Sequence, residues 1–169
     1  EDTESILKFS DICYFLQKGF NFDLSPIIPT LIQFCSYDLL INNDMRKIIW
    51  IFVTAEKKFY PYMSSFFSPL FKRATNEKFA ALFNKYKSIY TLFALFIDKN
   101  TNENETRAYL KQFLMSFQLF EENQNASMVL NYILIDKCGY QYINFFISTI
   151  GEVMKESIDI SIFLINILI

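Results

Sequence analysis

Lys87-Ser88-Ile89-Tyr90-Thr91-Leu92-Phe93-Ala94-Leu95 decides how this sequence is read. As a helix it is apolar on nearly all sides, so it needs neighbours on both flanks. Three other stretches share its character: Arg46-Lys47-Ile48-Ile49-Trp50-Ile51-Phe52-Val53-Thr54, Ala126-Ser127-Met128-Val129-Leu130-Asn131-Tyr132-Ile133 and Ile160-Ser161-Ile162-Phe163-Leu164-Ile165-Asn166-Ile167. Aligned on Trp50, Tyr90, Met128 and Ile162, the four recur at 40, 38 and 34 residues. Two copies end alike, in Ile97-Asp98-Lys99 and Ile135-Asp136-Lys137. Each follows another apolar helix, at Pro29–Phe34, Ala80–Phe83, Leu110–Phe120 and Ile143–Met154. Recurrence near 40 residues is the mark of helical repeats that cover one another's apolar faces. A closed helical bundle accommodates the same helices without translational order; the period favours the stack.

Composition limits what these helices do. The chain has 169 residues, 52% of them apolar and 18% aromatic, which is ample drive for a core and excludes disorder. Three Gly and four Pro are too few breakers for a sheet protein. A net charge of −2 offers no footprint for nucleic acid. There is no His, which removes imidazole catalysis and the commonest zinc ligand. Gly19, Gly139 and Gly151 are isolated, so no phosphate loop exists. A Ser or Cys nucleophile would lack a His base, and Glu152/Glu156 reads as a solvated helix face. No catalytic residue, cofactor or metal site is expected, and the chain reads as no enzyme. Cys13, Cys35 and Cys138 form no paired motif and read as buried thiols of a reducing compartment, cytoplasmic or nuclear.

Local signals predict helices at Ile6–Leu16, closing at Gly19, then at Ile27–Ser36 behind Ser25-Pro26 and at Met45–Lys58 behind Asn42-Asn43-Asp44. Pro61 and Pro69 bracket a turn and a helix start. Further helices follow at Lys78–Phe83, Tyr86–Lys99, Thr106–Phe120, Ala126–Lys137, Tyr140–Glu156 and Ile158–Ile169, with polar gaps at Asn100–Glu105 and Glu121–Asn125. The last apolar run, Ile160–Ile169, is well short of the ~20 residues that cross a bilayer, so no membrane insertion is expected. The sequence opens on Glu1 and stops inside an apolar helix, so the expectation is one domain over 1–169, part of a longer chain.

Pro26-Ile27-Ile28-Pro29-Thr30-Leu31-Ile32-Gln33-Phe34-Cys35 resembles the second helix of an armadillo repeat, with its Ile-Pro start and Leu-rich face. Asp44-Met45-Arg46-Lys47-Ile48-Ile49-Trp50-Ile51-Phe52-Val53-Thr54 resembles the third helix, as in importin-alpha. The resemblance runs loosely over Ile6–Ile169. It implies an all-α, armadillo/HEAT-like right-handed helical solenoid of about four repeats, whose third helices line a concave groove. In that family a ladder of Trp and, four residues on, Asn grips an extended basic segment. Carried over, the paired positions are Trp50/Thr54, Tyr90/Ala94, Met128/Tyr132 and Ile162/Asn166, of which only the first keeps Trp and only the last Asn. The groove candidates are therefore Trp50, Thr54, Tyr90, Tyr132 and Asn166. The function this implies is binding of a protein or peptide segment, as in a divergent nuclear import adaptor. Two alternatives stand beside it: a structural helical subunit docking into a larger assembly, and a compact bundle that modulates a protein partner.

Overall fold

The computed structural model describes residues 2–132, 140–159, 162 and 165–166. Every element among them is helical, so the chain is all-α. It divides into two compact units, Glu1–Lys72 and Arg73–Ile169.

The first unit holds α1 (Thr3–Phe20), α2 (Ile28–Gln33), α3 (Tyr37–Asn42), α4 (Arg46–Ala55) and α5 (Met63–Phe71), with 3-10 turns at Ser25–Ile27, Glu56–Lys58 and Tyr60–Tyr62. The Asp2 carboxylate caps α1 by accepting the Glu4 N–H at 3.3 Å. The helix runs past Gly19, because Asn21 and not glycine takes the left-handed conformation that ends it (φ 54°). Asn adopts that region more readily than most residues, since its short amide bonds locally. The helix expected over Ile27–Ser36 is a 3-10 turn followed by the short α2. Ser36 then accepts the Leu39 N–H at 3.2 Å and starts α3, which the sequence pattern did not announce. Likewise α4 stops at Ala55 and not at Lys58, because Glu56 turns the backbone to φ 51°.

Burial explains why these elements hold. α1 packs on α4, and Lys47 on α4 pairs with Asp11 on α1 at 2.5 Å. Phe52 stacks on Phe59 at 4.8 Å, and both meet Phe66 edge-on. Cys13 and Cys35 are free, buried thiols, and burial pushes both above the usual thiol range. Cys138 lies outside the described residues.

The second unit holds α6 (Asn76–Lys85), α7 (Ser88–Lys99), α8 (Glu103–Met115), α9 (Asn123–Asn131) and α10 (Tyr140–Glu156). The second half of the polar stretch Asn100–Glu105, from Glu103 on, is a helix start and not a loop. Asn102 caps α8 by accepting the Glu105 N–H at 3.1 Å, and Glu103 and Glu105 occupy the first turn, where a carboxylate suits the helix dipole. α9 opens at Asn123, inside the second polar gap, without a side-chain cap.

α6 packs on α8, α8 on α10 and α7 on α9, and α7 also meets α6 and α8. The α8–α10 seam carries Lys111–Glu156 and Arg107–Glu152 ion pairs, and Arg107 donates to the Ser148 hydroxyl at 3.0 Å. The core is aromatic. Phe83 lies among Phe79, Tyr90, Phe93, Phe113 and Phe120, with ring centroids 4.9 to 5.6 Å away. The expected Ile135-Asp136-Lys137 ending, Gly139 and most of Ile160–Ile169 lie outside the described residues. No described helix is long and apolar enough to cross a membrane.

Candidate functional site

Between α7 and α9 lies a cleft of about 510 Å³, within the range of sites that take drug-sized or side-chain-sized groups. Two faces with helical spacing make it. From α7 and the residue before it come Lys87, Ser88, Tyr90, Thr91, Ala94 and Leu95; from α9 and the residue after it come Asn125, Met128, Val129 and Tyr132. Asn125, Met128, Val129 and Tyr132 stand at i, i+3, i+4 and i+7, one stripe of a helix. α7 buries Ile89, Leu92, Phe93, Phe96 and Ile97 into the core, which leaves Ser88, Thr91 and Leu95 to turn toward the opening.

The cleft therefore has an apolar body and a neutral polar rim. Ala94 and Val129 are buried, Leu95 and Tyr132 half-buried, and Met128 is 61% exposed. Tyr90 is buried, with its ring against Phe83 (4.9 Å) and Phe120 (5.7 Å). Its hydroxyl has no hydrogen-bond partner. Burial pushes that phenol well above its usual range, and the nearby Glu122 and Glu121 charges push it further.

One end of the cleft is organised by charge. Lys87 pairs with Glu122 at 2.5 Å, and the Asn125 amide donates to the other Glu122 oxygen. The loop carrying Glu121 is pinned by Asn84, whose amide donates to the Leu119 carbonyl at 3.0 Å and accepts the Glu121 N–H at 2.9 Å. This side chain acts as a short stand-in for a strand partner, holding the acidic loop in place.

Four of the positions marked by the repeat alignment, Tyr90, Ala94, Met128 and Tyr132, thus line one cleft. The others do not join it. Trp50 is half-buried in the first unit, with Tyr14 edge-on to its ring at 4.9 Å. The Thr54 hydroxyl donates back to the Trp50 carbonyl at 2.7 Å, so it is spent within its own helix. Ile162 and Asn166 are exposed helical residues that are not among the described lining residues. Lys87, Ser88, Thr91, Leu95, Asn125 and Val129 were not marked, although the stripe they continue is visible as i, i+3, i+4 spacing around Tyr90 and Met128. Among the described residues, no three His, Cys, Asp or Glu stand together as a metal site. Compared with known proteins, the chain matches no protein-family model, no curated protein and no solved structure.

Proposed function

We propose that the chain is a non-enzymatic, armadillo-like helical-repeat scaffold that holds a segment of a partner protein in the α7/α9 cleft. One observation carries this reading: Tyr90 and Tyr132, two of the five groove candidates that the resemblance implies, line one opening. The packing of α6 on α8, α8 on α10 and α7 on α9 supports a stack in the second unit. An open, mostly apolar cleft with hydroxyl and amide groups at its rim suits a peptide, whose side chains alternate with polar backbone.

The narrower form is a nuclear import adaptor. Its support is the acidic loop Glu121-Glu122 beside Tyr90 and the buried free thiols, which suit a cytoplasmic or nuclear setting. Trp50 does not add to it. Lys47 and Lys18 lie over the ring of Tyr14, its neighbour, and would repel a basic stem there.

The second reading, a structural subunit that docks into an assembly, is favoured by the exposed Ile12, Phe15, Phe20 and Phe22, between 56% and 62% exposed. Selection of peptides from a random displayed library on the full chain separates the two. Segment binding predicts selected peptides whose affinity falls at least about tenfold, or 1.4 kcal/mol, when Met128→Arg blocks the cleft, with Ile12→Glu neutral. The docking reading predicts the reverse dependence.

A further inference from the structure

α1 buries Ile6, Ser10 and Cys13 on one side and turns an apolar face outward on the other. Ile12, Phe15, Phe20 and Phe22 are between 56% and 62% exposed, and Phe9 is 37% exposed. Phe9, Ile12 and Phe15 stand three apart and so share one helix face. The Phe15 and Phe20 rings meet edge-on at 5.4 Å, which carries the patch on to the helix end.

The size of the patch points to a partner. At about 200 Å² for a whole aromatic side chain, the five residues expose roughly 500 Å² of apolar surface. One side of a standard interface covers about 800 Å², and in homodimers about 65% of it is apolar. The patch with a polar rim meets both values, and it lies near the upper end of what a monomer leaves bare.

The rim selects which partner. Glu4, Asp11 and Lys18 are seven residues apart and line one edge of the patch. Glu4 and Lys18 are exposed, and their own partners, Lys8 and the Tyr14 hydroxyl, lie within α1. Lay a second α1 antiparallel on the first, with the twofold axis at Ile12. Glu4 is eight residues before that axis and Lys18 six after it. Each Glu4 then lies about 3 Å along the helix from the partner's Lys18, at ~1.5 Å per residue. A parallel pairing sets Glu4 on Glu4 and Lys18 on Lys18. Asp11 faces its own copy, but Lys47 already holds its charge at 2.5 Å. The edge is complementary to itself in one direction only.

We propose that this face of α1 seats the same face of a second copy, antiparallel about Ile12, making the chain a twofold dimer. The proposal uses the first unit alone and does not depend on the α7/α9 cleft.

Sedimentation equilibrium of the full chain from about 1 to about 200 μM tests it. The mass should rise from 20.1 kDa to twice that value and stop there. Ile12→Glu, at an exposed position, puts two carboxylates on the axis and should weaken the dimer at least about a hundredfold. Glu4→Lys and Lys18→Glu should each weaken it about tenfold. Combined, they should restore it to within about twofold, because the swapped pair is again of opposite sign. A chain that stays at 20.1 kDa, or one that grows past the dimer, overturns the proposal. So does a dimer untouched by Ile12→Glu, or a charge swap that restores nothing.

Discussion

Replacing Phe83 by Ala removes the ring on which the aromatic core of the second unit converges. Phe83 is 1% exposed and has five aromatic neighbours, Phe79, Tyr90, Phe93, Phe113 and Phe120, at centroid distances of 5.0, 4.9, 5.5, 5.6 and 5.2 Å. Truncating a buried Phe to Ala costs about 3–5 kcal/mol, the lost transfer energy plus the cavity left behind. Each aromatic pair adds about 0.5–1.5 kcal/mol, but pairs sharing one ring are not additive. The expected loss is therefore at the top of the truncation range, about 4–5 kcal/mol, a large share of the ~5–15 kcal/mol that holds a domain together. Phe83→Leu keeps most of the volume and should lose only about 1.5 kcal/mol. Urea unfolding followed by far-ultraviolet circular dichroism measures both. The packing is refuted if Phe83→Ala loses less than about 1.5 kcal/mol or if Leu is as damaging as Ala. Because Phe83 also carries the ring of Tyr90, the Ala variant should weaken any ligand of the cleft.

Asn84→Ala releases the loop before α9 and should lose about 1–2 kcal/mol in the same urea assay, two hydrogen bonds at modest net value each. The Asp23 carboxyl is held well below the usual carboxylate range, first by Lys58 and then by the Ser25 hydroxyl and N–H. A lowered folded value means the stabilisation is present above the unfolded value, near 3.9, and is lost as pH falls through the folded one. Stability measured against pH should therefore fall below about pH 4 in the wild type and fall less steeply in Asp23→Asn. On the α8–α10 seam, a double-mutant cycle on Lys111 and Glu156, which are 28% and 50% exposed, should give under about 1 kcal/mol.

What the sequence made legible depended on length and period. α7 and α10 begin or end close to where apolar spacing puts them, because each is long enough to show two or more turns of one face. α3 is only six residues with Leu40 alone buried, too short to show a period, so it read as connection. The Asn-Glu-Asn-Glu run at 102–105 reads as a loop by polarity, yet its chemistry is that of a capped helix start. Asn21 and Glu56 end their helices through backbone conformations that a search for glycine passes over. In the cleft, Tyr90 and Tyr132 were reachable through the i, i+4 ladder that the resemblance implies, whereas Ala94 and Met128 stood outside the groove candidates. The ion pair of Lys87 with Glu122 and the Asn84 clamp join residues 35 and 37 positions apart, which no local spacing reveals.

The most direct test of segment binding is an isotope-edited nuclear Overhauser experiment on the full chain with a bound, library-selected peptide. Contacts from the peptide to the Met128 and Ala94 methyl groups are the predicted result. Contacts to Ile12 or Trp50, with Met128 and Ala94 silent, would contradict it.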